Sequence, residues 1–242
     1  MHLLLARMKF RFVLILLLPF VLSACIEGVD GNGNVVEREY PIVPFQTLSV
    51  SGHFSVYLTQ GEATTLVFEA DENLQEYLEL KESNGMLSLS TREKIATAEA
   101  LNLIISSPVF ERIDISGAAE IVGETAIEGQ SLVLTCSGAS QVDLDVALEK
   151  LKVNISGAAD IYLQGEAVES SYAISGAANF KSRELECARA RLHMSGAGDA
   201  EFYASESLDL RISGAASCVY YGDATVSKEI SGVGSVSKGT GS

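Results

Sequence analysis

One short pattern constrains this chain more than anything else in it. Ser116-Gly117-Ala118-Ala119-Glu120-Ile121 returns at Ser137-Gly138, Ser156-Gly157, Ser175-Gly176, Ser195-Gly196, Ser213-Gly214 and Ser231-Gly232, each pair followed by Ala or Val. The steps between successive Ser residues are 21, 19, 19, 20, 18 and 18. A fixed step near 20 residues means that one small unit stacks on the next, because a single such unit cannot bury its own apolar side. The chain is therefore expected to be a solenoid.

The periodicity inside each unit says what the unit is made of. Leu132, Leu134 and Cys136 precede the second copy, Leu151, Val153 and Ile155 the third, and Leu208, Leu210 and Ile212 the sixth. Val142 with Leu144 and Ile161 with Leu163 follow the small residues. Strict alternation over short runs marks half-buried strands, and no unit shows the i, i+3, i+4 spacing of a helix. Leucine-rich repeats share the step but would need an Asn ladder and a helical half, which are missing. The expected fold is all-β, a parallel β-helix with about three strands per coil and coils about 4.8 Å apart. The Ser-Gly-Ala step is then structural: Gly permits a bend and close approach. The Ala two residues after Ser is expected to fill a crowded corner, and the Ser hydroxyls to hydrogen-bond along the stack. A Ser nucleophile is the competing reading, but seven equivalent Ser residues do not describe one active site.

Before the repeats, residues 1–24 read as a targeting segment. Arg7, Lys9 and Arg11 form a basic start, and Phe12 to Leu22 is an apolar run interrupted by Pro19 and too short for a comfortable span. Leu22-Ser23-Ala24-Cys25 resembles a bacterial lipobox, which implies cleavage before Cys25 and a lipid on its sulfur, so that the membrane is a partner through Cys25. An ordinary secretory signal with a chance Cys is the alternative. Ile26 rather than Asp after Cys25 resembles the outer-membrane address. Residues 25–39 are rich in Gly, Asn and acid and read as a flexible tether. Residues 40–238 are expected to form one solenoid domain, with irregular strands over 40–110, regular coils over 111–238 and a tail at 239–242. Within the irregular part, Ser51-Gly52 looks like a degenerate further copy of the repeat. Asn84-Gly85 predicts a hairpin, and Asp71 to Tyr77 one helical turn.

Several of these segments together carry a family resemblance. Phe45-Gln46-Thr47-Leu48-Ser49-Val50-Ser51-Gly52, Val56-Tyr57-Leu58-Thr59-Gln60-Gly61, Ala70-Asp71-Glu72-Asn73-Leu74 and the Ser-Gly-Ala coils resemble the bacterial family called putative auto-transporter adhesin, head GIN domain (DUF2807), over roughly residues 40–236. The resemblance implies a β-helical, exported and often lipid-anchored protein, and it supplies no catalytic residues.

Charge and side-chain inventory narrow the function. The chain holds 17 Lys and Arg against 32 Asp and Glu, and cleavage before Cys25 removes three of the basic residues, leaving 14 against 32 and a net charge of −18. Such a chain repels nucleic acid. Cys136 and Cys218 lie four coils apart, about 19 Å at the usual strand spacing, too far for a disulfide; with Cys187, expected in a bend, they read as buried free thiols. His53 and His193 are the only His after cleavage, and no Cys-x-x-Cys or His-x-x-x-His occurs, so no metal and no cofactor is expected. The candidate ligand face is the outward ladder four residues after each Ser: Glu120, Gln141, Asp160, Asn179, Asp199, Ser217 and Ser235, with Arg191, Arg211 and Lys152 on a neighbouring strand face. The bland alternative is a solvated ladder in which amides space the acids. Two functions stay open. One is a non-catalytic, lipid-anchored envelope solenoid, an adhesin or scaffold that binds a glycan or an envelope protein. The other is a polysaccharide lyase or glycosidase using Asp160 and Asp199, two coils or about 10 Å apart.

Overall fold

The computed structural model describes residues 28–240; the targeting segment and Cys25 lie outside them. Strands β1 (Val29–Asp30), β2 (Val35–Tyr40), β3 (Thr47–Gln60) and β4 (Thr65–Asp71) come first, then a 3-10 turn over Glu72–Tyr77. Strands β5 (Leu78–Ser83), β6 (Met86–Thr91), β7 (Ile95–Thr97) and β8 (Leu101–Ser107) complete the irregular part. The coils run through β9 (Arg112–Gly123), β10 (Ile127–Ile155), β11 (Ala158–Ile174), β12 (Ala177–Ser182), β13 (Leu185–Met194), β14 (Ala197–Tyr203), β15 (Ser207–Ile212), β16 (Ala215–Tyr221), β17 (Thr225–Ile230) and β18 (Ser235–Lys238). They stack in parallel as a β-solenoid of about six turns.

The pairing register is the repeat itself. Ser137 lies against Ser116 and Gly138 against Gly117, and Ser116 and Gly117 lie in turn against Ser51 and Gly52 of β3. The degenerate copy is thus the first rung of the ladder. The alternating apolar residues all point inward: Leu134, Val153, Ile161, Leu163, Leu192 and Leu210 are among those with no more than 2% exposure. Each buried Leu or Ile contributes about 1.5–3 kcal/mol. In the middle coils Tyr172, Phe180 and Phe202 form an aromatic cluster inside the stack, with ring centroids 4.7, 5.1 and 5.3 Å apart.

Bends and a slip in the alternation give each coil its shape. In β11 the chain bends at Gly165, which has φ 100° and lies among three residues that are not buried, Gln164 to Glu166; the in-out rhythm slips at Val168-Glu169, where two outward residues follow each other, and the chain bends at Ser175-Gly176 just beyond. These three turns per coil make three sides, so the stack carries three outward faces.

The Ser-Gly corner works by sheer closeness. A Cβ on Gly117 would sit 2.6 Å from the Gly52 carbonyl oxygen, and one on Gly157 would sit 2.8 Å from the Gly138 carbonyl carbon, inside any real Cβ contact. The same clash with the preceding coil's glycine recurs at Gly138, Gly176, Gly196, Gly214 and Gly232. Two details differ from expectation. The Ala two after Ser faces outward, as Ala158, Ala177 and Ala197 do; the next residue is the buried one, Ala119, Ala159, Ala178 and Ala216. Gly takes the inward position at the corner, as Gly157 does between buried Ile155 and Ala159, so the alternation runs on unbroken and the Ala two after Ser falls on the outward phase. The Ser hydroxyls do not chain to each other: Ser137 Oγ donates to the Ile115 carbonyl and Ser175 Oγ to the Ile155 carbonyl, both at 3.3 Å. A backbone acceptor on the previous coil is nearer than the next hydroxyl.

The two ends differ. At the N-terminal end β3 pairs in parallel with β6 and β8 beyond β9, and antiparallel strands close the stack: β4 on β8, β2 on β4, and β5 on β6. The β5–β6 hairpin turns through Asn84 and Gly85, at φ 51° and 74°. The segment expected to be a tether is, from residue 28 on, structured: β1 pairs with β7 and β2 with β4. Its Gly and Asn residues serve tight turns between those strands instead. Asp71 fastens this region. Fully buried, its carboxylate accepts from the backbone N–H of Gly33 at 2.5 Å, Glu99 at 2.8 Å and Ala100 at 3.4 Å. Burial pushes its pKa up, but the N–H donors outweigh it and hold the group below the usual value of 3.8. At the C-terminal end the core runs out: Lys228 stands on the rung below Leu210, and Ile230 and Val233 are exposed.

Candidate functional site

The candidate site is the outer surface of the coils, and its three faces have different chemistry. The first face follows the Ser-Gly corner. Gln141 stacks on Glu120 and on Asp160, Asp160 on Asn179, and Asp199 on Ser217, which stacks on Ser235. This is the ladder read from the sequence, and all but the half-exposed Ser217 are exposed. Asn179 Nδ2 donates to Asp160 Oδ1 at 2.8 Å, so the amide sits between carboxylates as a spacer. A shallow groove of about 560 Å3 on this face is lined by four acids, Asp143, Asp160, Asp199 and Glu201, against one base, Lys181. Tyr162 hydrogen-bonds Glu184 beside it, and that bond pushes the phenol up to about 12.

The second face, after the Gly165 bend, is narrow. Its groove of about 450 Å3 carries Glu149, Glu166 and Glu186 and no basic residue.

The third face precedes the next Ser-Gly corner. Its groove, about 660 Å3, is lined by Lys150, Lys152, Arg189 and Arg191 against Glu169 and Asp209. Lys152, Ser171, Arg191, Asp209 and Ser227 are successive rungs of one ladder; Lys150, Glu169, Arg189, Ser207 and Thr225 form the ladder beside it. Arg189 is clamped by Glu169 at 3.0 Å and Glu206 at 2.9 Å. Arg191 and Arg211 share Asp209, each at 3.9 Å. The Ser-Gly corner therefore separates Glu120, Asp160, Asn179 and Asp199 from Arg191 and Arg211, which stand on the neighbouring face. Sequence reasoning singled out Lys152 but not Lys150 or Arg189. Their signal was the residue offset of 19 or 20 between coils, which puts Lys150, Glu169 and Arg189 in line.

His53 lines the first face near Glu120, whereas His193 stands on the third face beside Arg211. The two cannot act together. Among the described residues no three His, Cys, Asp or Glu side chains are placed to hold a metal ion. Cys136, Cys187 and Cys218 are free and buried. Burial pushes the Cys136 thiol up to about 11 and the Cys218 thiol to about 12, and raises Cys187 as well. Cys187 lies within β13 rather than in a bend, with Sγ 3.0 Å from Ser170 Oγ.

A stack of parallel coils with repetitive outward ladders defines a β-solenoid. The chain belongs to the family described as "Putative auto-transporter adhesin, head GIN domain", which matches residues 44–224. Among solved structures it is similar to a putative adhesin from Bacteroides fragilis, with 23% identity over 87% of this chain and 100% of that one and a TM-score of 0.83. It is also similar to a putative adhesin from Parabacteroides merdae, 19% identical over 88% and 99%, TM-score 0.67. A third is a putative lipid binding protein from Parabacteroides distasonis, 20% identical over 88% and 99%, TM-score 0.68. At these identities the likeness establishes the shared fold. No curated protein matches the chain. Among the described residues no helix is long and apolar enough to cross a membrane.

Proposed function

We propose that this protein is a non-catalytic, lipid-anchored solenoid of the bacterial cell envelope that holds an extended partner, a glycan or an envelope protein, along its side. The anchor is the lipid on Cys25, in the outer membrane. One observation carries the reading: the side-chain ladders run straight along the stack, from Glu120 to Ser235 on one face and from Lys152 to Ser227 on another. A surface that repeats each strand spacing, about 4.8 Å, suits a partner that also repeats. Catalysis asks for the opposite, a pocket where particular groups depart from the pattern. The adhesin names of the family and of its relatives agree with a binding role at the cell surface.

The test is to incubate the protein with a panel of envelope and host polysaccharides and envelope extracts, recording both retention and release of new reducing or unsaturated ends. Retention without new ends is expected. New ends that vanish in an Asp160→Asn, Asp199→Asn double variant would replace this reading with a polysaccharide-cleaving enzyme.

A further inference from the structure

The third face is the exception in an acidic molecule. With 32 acidic residues against 17 basic ones, a groove chosen at random should be negative, and the other two grooves are. Here four basic residues face two acidic ones. The acids present leave cations over. Glu169 and Glu206 are both used on Arg189. Asp209 is one carboxylate shared at long range by Arg191 and Arg211, whose side chains are 73% and 62% exposed. Glu229, on the rung after Arg211, makes no ion pair with it, and among the described residues Lys150 and Lys152 make none either.

The spacing of those cations is regular. In each ladder two bases stand two rungs apart, Lys152 with Arg191 and Lys150 with Arg189, two strand spacings or about 10 Å, and Ser227 and Thr225 hold the next alternate rungs. Ser171 stands on the rung between Lys152 and Arg191, and Ser207 and Ser227 offer further hydroxyls along the groove. No aromatic side chain lines it, so stacking on sugar rings is not available and recognition rests on charge and hydrogen bonds. None of the large exposed apolar residues lines it, so there is nothing to insert into a bilayer.

We infer that this face docks an anionic polysaccharide, lying along the stack axis with a carboxylate or sulfate on alternate sugars. The inference rests on the binding reading above and names the ligand chemistry and the face. Two rungs match the stride between alternate sugars of an extended chain, so charge meets charge without bending either partner. Lys150 and Lys152 hold the first anionic group, Arg191 with Arg211 the next, and Arg189 is already turned by its two carboxylates into a wall of the groove.

The experiment uses the whole chain in neutral detergent on immobilised hyaluronate, which carries a carboxylate on alternate sugars, its neutral methyl ester, and phosphatidylglycerol vesicles. Retention on hyaluronate, release by salt and little retention on the methyl ester are expected. The Lys152→Ser, Arg191→Ser double variant should bind about tenfold more weakly, since each exposed charge pair contributes modestly. Lys152→Arg should retain binding, and Asp160→Asn with Asp199→Asn on the first face should not weaken it. Equal retention on the methyl ester, or a double variant that binds as well as the parent, overturns the inference while leaving a binding function through another face intact. Tighter binding to the vesicles than to the polymer, lost in the same double variant, overturns it in favour of a membrane surface. Because the salt and methyl-ester comparisons use the unaltered protein, they decide the matter even for a variant that folds poorly.

Discussion

Replacing Gly157 by Ala isolates the closeness of the coils. The added Cβ meets Gly138 backbone atoms inside 3.0 Å, where ordinary contact begins at 3.4 Å, so adjacent coils must part locally. Gly157 does not have a left-handed φ, so the cost is steric rather than torsional. Parting stretches the rungs on either side of the corner, Ser156 N–H to the Cys136 carbonyl at 2.9 Å and Ala177 N–H to the Gly157 carbonyl at 3.0 Å. Each weakened bond costs about 1 kcal/mol, and the overpacking adds about 1–3 kcal/mol. Ala restricts the unfolded chain and returns about 0.4–1 kcal/mol. The net loss is about 2–5 kcal/mol, or roughly 4–20 °C in Tm at this chain length. Gly61→Ala is the control: its Cβ would meet only the Ser106 hydroxyl, at 3.4 Å, and its Tm should hold or rise slightly. The assay is thermal unfolding followed by circular dichroism and calorimetry. A Gly157→Ala transition within about 2 °C of the parent, with Gly61→Ala behaving as stated, would refute the steric account.

Other outcomes follow from single residues. Cys25→Ser should abolish labelling by an alkyne fatty acid and release the protein from membranes; unchanged labelling would remove the anchor. Ser140 occupies the inward position that is Ala in Ala119 and Ala159, and among the described residues its buried Oγ has at most the weak Cys136 thiol as a partner, so Ser140→Ala should raise stability by up to about 1 kcal/mol in urea unfolding. Burial raises the thiols of Cys136, Cys187 and Cys218, so all three should resist iodoacetamide at pH 8 until the protein is unfolded, as read by mass spectrometry. Asp71→Asn should cost about 1–3 kcal/mol at neutral pH. Because the folded pKa of Asp71 lies below 3.8, its contribution is complete above that value and is lost as pH falls through the lower, folded value. The parent should therefore lose stability faster than Asp71→Asn in acid unfolding below pH 3.8.

The repeat made the stack and its register readable directly, because a strand has only two sides and a step near 20 residues fixes which rung faces which. The Glu120 to Ser235 ladder follows from that rule; Ser51-Gly52 under Ser116-Gly117 was legible from the motif alone, and the Asn84-Gly85 hairpin from its turn chemistry. Period two separates inside from outside but does not say where a coil turns. Gly157 takes the inward position at the corner, which leaves Ala159 rather than Ala158 as the buried small residue, and the bend at Gly165 with the slip at Val168-Glu169 splits the outward residues among three faces. Which charges share a face therefore depended on the path of the backbone. That path gave Arg189 to Glu169 and Glu206, left Lys150 and Lys152 without an ion pair among the described residues, and set Arg191 apart from Asp199. The N-terminal cap was the least legible part. Antiparallel pairing of β2 on β4 and the Asp71 carboxylate reaching Gly33, Glu99 and Ala100 join residues far apart in sequence with no repeat to align them. Local sequence decided what each segment is; contacts between distant segments decided which of them meet.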